Sequence, residues 1–159
     1  MSFSFNQRGF VKPYKKVESS VEELNLFFVV QYPESRTRQQ IIDSYFAYVS
    51  EFKAIITPNF THWLDGSFIS KKNNPNDLDF ACFVDHNIFK AKKSRIEALT
   101  KEFSPARLDI YVRPFYPPEH VLNLVTLEDM AYWHELFTHS RQDPLTGLQA
   151  PKGFLEIIY

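Results

Sequence analysis

Between residues 36 and 53 the apolar side chains Ile41, Ile42, Tyr45, Phe46, Val49 and Phe52 return every three or four positions, with Arg38, Gln39, Asp43 and Ser50 between them. That spacing gathers one apolar stripe on a helix, so the segment predicts an amphipathic helix packed by one face. Pro33 closes what precedes it, and Ser35 reads as its N-cap. Upstream, Ser20-Val21-Glu22-Glu23 has the form of a capping box and opens a short helix through about Phe28. Residues 1–18 are mixed and basic and are broken by Pro13, which predicts an extended arm or a loosely packed strand.

Downstream the pattern changes period. Pro58 and Asn59 break the chain before a strand at 62–65, and Lys71-Lys72-Asn73-Asn74-Pro75-Asn76 reads as an exposed turn. A strand at 78–84 is followed by a basic helix at about 87–102, with Ile88, Phe89, Ile96 and Leu99 as inward residues. A strand at 107–113 ends in Pro114, Pro117 and Pro118, a helix follows at 127–137, and 153–159 reads as a last strand. Strands and helices interleave, so the fold class is α/β or α+β, in a single domain. An N-terminal arm and short helix over 1–34 precede the main domain at 35–159. No repeat or low-complexity tract interrupts it.

Composition narrows the setting. At 159 residues the chain is about one domain long, and its sixteen Phe predict a Phe-rich core. A formal charge of −1 gives no overall pull toward nucleic acid, so a polyanion needs a local patch. The single cysteine, Cys82, excludes an internal disulfide and falls on the Leu78/Phe80 side of its strand, as a small buried hydrophobe does. The opening MSFSFNQRGFVKPYKK lacks the uninterrupted apolar run of a signal peptide, and no stretch has the length to span a bilayer. The expectation is a cytoplasmic protein with no membrane partner.

The candidate chemistry lies in HWLDGSFISKKNNPNDLDF, where nine residues separate Gly66-Ser67 from Asp77-Leu78-Asp79. Side chains two apart on a strand share a face, so Asp77 and Asp79 project together. A third acid, Asp109, sits in Arg107-Leu108-Asp109-Ile110-Tyr111-Val112. If its strand lies beside theirs, three carboxylates converge, and their repulsion calls for protons or a divalent cation. Hard oxygen ligands suit Mg²⁺ or Mn²⁺. Gly66 permits close backbone approach, and Ser67 offers a hydroxyl and an N–H to a phosphate. Each acid alone also has a structural reading: Asp77 closing a turn, Asp109 pairing with Arg107 or Arg113. Asp65 and Asp85 read as turn and cap residues. The five histidines lack zinc-ligand spacing.

Gly66-Ser67, the nine-residue spacing, Asp77-x-Asp79 and the later hydrophobic-Asp109-hydrophobic strand together resemble the nucleotidyltransferase superfamily typified by DNA polymerase β, especially its minimal bacterial members. The resemblance covers roughly residues 35–113 and implies a mixed β-sheet flanked by helices. It implies that Asp77, Asp79 and Asp109 hold Mg²⁺ and carry catalysis, with a nucleoside triphosphate (ATP among the candidates) as donor on Gly66 and Ser67. Lys71 lies between the halves of the motif, within reach of triphosphate oxygens or simply solvated. The implied reaction moves a nucleoside monophosphate to a hydroxyl of a protein, an RNA or a small molecule. The alternative is a weak or inactive member that binds a partner, like the antitoxin of a bacterial toxin–antitoxin module. A third reading, a glycosyltransferase with Mn²⁺ on Asp-x-Asp, leaves Gly66-Ser67 and Asp109 unexplained.

Overall fold

Alternation along the strands sorts the side chains onto the two faces of one sheet. The structure is a computed structural model and describes residues 3–159. In chain order the elements are β1 (Ser4–Phe5), β2 (Val11–Lys12), β3 (Lys16–Glu18), α1 (Val21–Asn25), α2 (Arg38–Ile55), β4 (Thr61–Asp65), β5 (Leu78–Asp85), α3 (His86–Phe103), β6 (Leu108–Phe115), α4 (Asn123–Phe137) and β7 (Phe154–Ile158). Five strands form a mixed sheet in the order β3-β7-β4-β5-β6, and β1 pairs with β2 in a separate hairpin. The outer pairs β3/β7 and β5/β6 are parallel, and β4 runs antiparallel to both its neighbours. The fold is thus α+β, within the class that the interleaved pattern predicts, and its sheet is mixed.

One face carries Leu64, Leu78, Phe80, Cys82, Leu108, Ile110, Leu155 and Ile157, buried in one cluster with Ile41, Ile42, Tyr45, Val49 and Phe52 of α2 and Ile96 and Leu99 of α3. His62 lies there too, its Nδ1 2.9 Å from the Tyr45 hydroxyl, and burial lowers its pKa to about 3, so the imidazole is neutral. The opposite face presents Trp63, Ala81, Phe83 and Phe154 to Trp133 and Phe137 of α4. Asp79 and Asp109 belong to this second face by strand parity. The N-terminal segment is part of the same body: β3 is a sheet strand, and Phe3, Val11, Val17, Leu24 and Phe28 join the first core.

Four local expectations meet a different outcome. The Ser20 hydroxyl does accept the Glu23 N–H at 3.2 Å, but the short helix continues past Phe28 as a π-turn over Leu26–Val30. Helix α2 begins at Arg38, with the Ser35 hydroxyl accepting from the N–H groups of Thr37 and Arg38 just ahead of it. Arg38 is fully buried rather than on the polar side. Strand β6 passes through Pro114 to Phe115, because β6 is an edge strand and a proline there forfeits no ladder bond.

Candidate active site

Register places three aspartates in one lateral row. Asp65 at the end of β4 pairs with Asp79 of β5, and Asp79 pairs with Asp109 of β6. Directly opposed residues on neighbouring strands hold their Cβ atoms about 5 Å apart. Asp77, just ahead of β5, completes the group: Asp77, Asp79 and Asp109 each offer an oxygen lying within 4.8 Å of the others. The three acids singled out from sequence are therefore brought together. Neither flanking arginine neutralises Asp109: Arg113 of β6 makes a bidentate pair with Asp129 at 2.8–2.9 Å, and Arg107, just ahead of β6, donates to the Asn76 carbonyl at 3.3 Å.

The electrostatic consequence falls on the central carboxyl. The Asp79 pKa rises to about 7, first from burial, then from the charge of Asp77, a hydrogen bond with Asp109 and the charges of Asp65 and Asp109. Its Oδ1 is buried without a hydrogen-bond partner. An orphaned, buried carboxyl oxygen among other carboxylates is the observation that fits a divalent cation, since hard oxygens are the donors that Mg²⁺ and Mn²⁺ take.

Gly66 and Ser67 both stand at this site and engage the acids directly. Gly66 has φ +85°, and a Cβ there would sit 2.8 Å from the Asp79 N and 3.1 Å from its Oδ2. The missing side chain makes room for Asp79 itself. The Ser67 hydroxyl donates to Asp77 Oδ1 at 2.9 Å, its N–H donates to the same oxygen at 3.2 Å, and the hydroxyl accepts from the Asn76 N–H at 2.8 Å. Ser67 thus orients a carboxylate across the linker. Lys71 lines the same cleft, its N–H donating to the Gly9 carbonyl at 2.9 Å and its ammonium 5.6 Å from the centre of the Phe5 ring.

Asp65 is the residue that the turn reading misplaced. It is buried, its Oδ2 accepts from the Lys152 ammonium, and its Oδ1 has no partner. Burial raises its pKa to about 6 against the opposing pull of Lys152. The acid was visible next to Gly66, but a lysine 87 residues away becomes its partner only through the sheet order. The acids open into a cleft of about 1390 Å³, larger than the ~300–1000 Å³ of ordinary small-ligand pockets. The N-terminal hairpin (Arg8, Gly9), the linker (Lys71, Lys72), α4 and the segment around Arg141 all wall it. The first of these was read only as an extended arm or a loosely packed strand. Tyr111, on the same side of β6 as Asp109, also lines it, and burial and the charges of Asp109 and Asp79 push its phenol pKa up.

The α+β sheet thus carries a row of carboxylates at one end, beneath a cleft walled by aromatic, basic and acidic side chains. The chain belongs to the family described as a family of unknown function, DUF6932, whose model matches residues 3–158. No curated protein and no solved structure matches the chain. Among the described residues, no helix is long and apolar enough to cross a membrane.

Proposed function

We propose that the protein is a divalent-metal-dependent nucleotidyltransferase that moves a nucleoside monophosphate from a triphosphate donor to a hydroxyl acceptor. The single observation that carries the reading is the meeting of Asp77, Asp79 and Asp109 within 4.8 Å, with a buried oxygen of Asp79 lacking any hydrogen-bond partner. Asp77 and Asp79 would hold one Mg²⁺, and Asp109 with both of them a second; bound there, the ions supply charge neutralisation for an in-line displacement at phosphorus.

The chain's own residues do the positioning. Ser67 fixes the Asp77 carboxylate through its hydroxyl and N–H, and Gly66 gives Asp79 the room to stand beside it. Lys152 neutralises Asp65, the acid beside Asp79 that is outside the metal set. The Asp109 carboxylate accepts the proton of the attacking hydroxyl as its oxygen bonds to the α-phosphorus and pyrophosphate departs with the broken P–O pair. Arg8, Lys71, Lys72 and Arg141, on the cleft wall, are cations available to phosphate oxygens. The cleft's size leaves space for part of an acceptor alongside the donor.

A thermal-shift panel of the four nucleoside triphosphates, with and without Mg²⁺, tests the donor site. A ligand at a hundredfold excess over its dissociation constant stabilises the native state by about 2.7 kcal/mol. We expect a Mg²⁺-dependent rise in Tm that Asp77→Ala and Asp79→Ala abolish, followed by Mg²⁺-dependent transfer of an α-phosphate label to the acceptor. Equal melting in every condition would sink the reading. A second reading, a protein-binding partner of the toxin–antitoxin kind, draws on a different observation: Val121 and Leu122 just ahead of α4 and Leu124 and Leu127 in its first turns are all exposed, an apolar surface suited to a partner.

A further inference from the structure

Strand β6 presents three outward side chains in succession, Asp109, Tyr111 and Arg113, while Leu108 and Ile110 point to the core. Helix α4 lies along this row. Arg113 grips Asp129, and Tyr111 packs on Trp133 with ring centres 4.6 Å apart. Moving two residues back along the strand covers about 6.6 Å, and four forward along the helix about 6 Å, so the two elements advance in step and in opposite directions. The same step carries Asp109 to the C-terminal turn of α4, where Leu136 lines the cleft. An aromatic step therefore stands one pleat repeat from the carboxylates.

Its rings are supported from behind and open in front. Trp133 is buried against Phe137 at 5.4 Å and contacts both Tyr111, 4.6 Å away, and Tyr132, 5.1 Å away. Tyr111 is 44 % exposed and Tyr132 61 %, and both line the same cleft as Asp77, Asp79 and Asp109. Two exposed rings fixed on a buried indole offer rigid π-faces with little side-chain entropy left to lose on binding. A nucleotide carries its planar base a sugar away from its phosphates, so this step lies within reach of the base of a donor whose phosphates meet the acids.

We propose that Tyr111 and Tyr132, backed by Trp133, form the seat of the donor's nucleobase, recognised by stacking. This inference rests on the donor-site reading above. Stacking accepts any base because every base has a π-face, so the seat discriminates a nucleotide from a bare polyphosphate far more strongly than one base from another.

Calorimetric titration of the full chain with Mg²⁺-ATP and with Mg²⁺-tripolyphosphate separates the seat from the phosphate site. We expect ATP to bind the wild type about 5- to 150-fold more tightly than tripolyphosphate, the range that one stacked base supplies. Tyr111→Ala and Tyr132→Ala should each erode that preference while leaving tripolyphosphate affinity unchanged, which also reports that the variants are folded. Tyr111→Phe, which keeps the ring, should restore ATP affinity. ATP binding should quench the Trp133 emission, identified by its loss in Trp133→Phe. Equal affinity for ATP and tripolyphosphate in the wild type, or unaltered ATP binding in both alanine variants, would overturn the seat and leave the donor-site reading standing. Binding of neither compound would remove both.

Discussion

Gly66 has to be glycine for two separable reasons, and both converge on Asp79. Its φ of +85° lies in the left-handed region, and a Cβ would stand 2.8 Å from a backbone nitrogen that cannot swing away. Gly66→Ala should therefore lose about 1–3 kcal/mol of stability, the range for strained backbone positions, measured as a lowered urea midpoint at unchanged slope. Because the displaced atoms belong to Asp79, the same variant should bind Mg²⁺ more weakly than its lost stability explains. Retained Mg²⁺ affinity would mean that Gly66 serves only the turn. Ser67 gives the contrasting case. Its hydroxyl was legible as a polar group beside the acids, but its partner, Asp77, follows from how the linker folds back rather than from the motif.

Arg38 shows why helical periodicity revealed α2 and still misassigned its first residue. The stripe Ile41, Ile42, Tyr45, Val49 and Phe52 is buried as its spacing requires. Arg38 lies in the same sector, and its two terminal nitrogens donate to the carbonyls of Phe28, Phe68, Ser70 and Lys72 at 2.5–2.9 Å. It fastens the linker that joins Ser67 to Asp77, with Tyr32 stacked 4.1 Å from the guanidinium. Burial lowers its pKa to about 10, so it stays charged at neutral pH. Carbonyl acceptors in a loop carry no sequence signature, which is why the charge read as surface. Arg38→Met would leave four acceptors to find new partners and should cost at least about 3 kcal/mol, seen as a lower urea midpoint. Strands β4 and β5 and helix α3 were legible because their apolar residues repeat at one period between clear breakers. The order of the strands was not, since it depends on pairings among distant residues, and with it went the Asp65–Lys152 pair and the alignment of Tyr111 with Trp133. The acidic trio survived that ignorance: alternation already put Asp77 and Asp79 together, although Asp77 lies just ahead of β5 and is held by Ser67, and only the neighbouring of β5 and β6 had to be supplied.

For the molecule as a whole, the row of carboxylates makes the fold work against its own charge, and pH should expose this. A carboxyl in an unfolded chain titrates near pH ~3.9. Asp79 is raised to about 7 by burial and its acidic neighbours, and Asp65 to about 6 by burial despite Lys152. The folded state thus holds these protons more tightly than the unfolded one. Their stabilising contribution is full below pH ~4 and is lost as pH rises through 6 and 7. His62, lowered to about 3, acts in the opposite direction, its contribution being lost as pH falls below the ordinary histidine range. Wild type alone therefore gives a mixed profile, and the difference between wild type and Asp79→Asn isolates the acid, because His62 is common to both. We expect metal-free D79N to melt above wild type at pH 8, by about 2–4 °C for each kcal/mol of repulsion relieved in a chain of this size, and the gap to close toward pH 4. Millimolar Mg²⁺ at pH 8 should raise the wild-type Tm and leave D79N nearly unmoved, while at pH 5, where Asp79 holds its proton, the Mg²⁺ effect should shrink in wild type as well. A wild type that melts equally with and without Mg²⁺ at pH 8 and gains nothing from D79N would show that the carboxylates relieve their repulsion without a cation, leaving the metal-dependent reading without its physical basis.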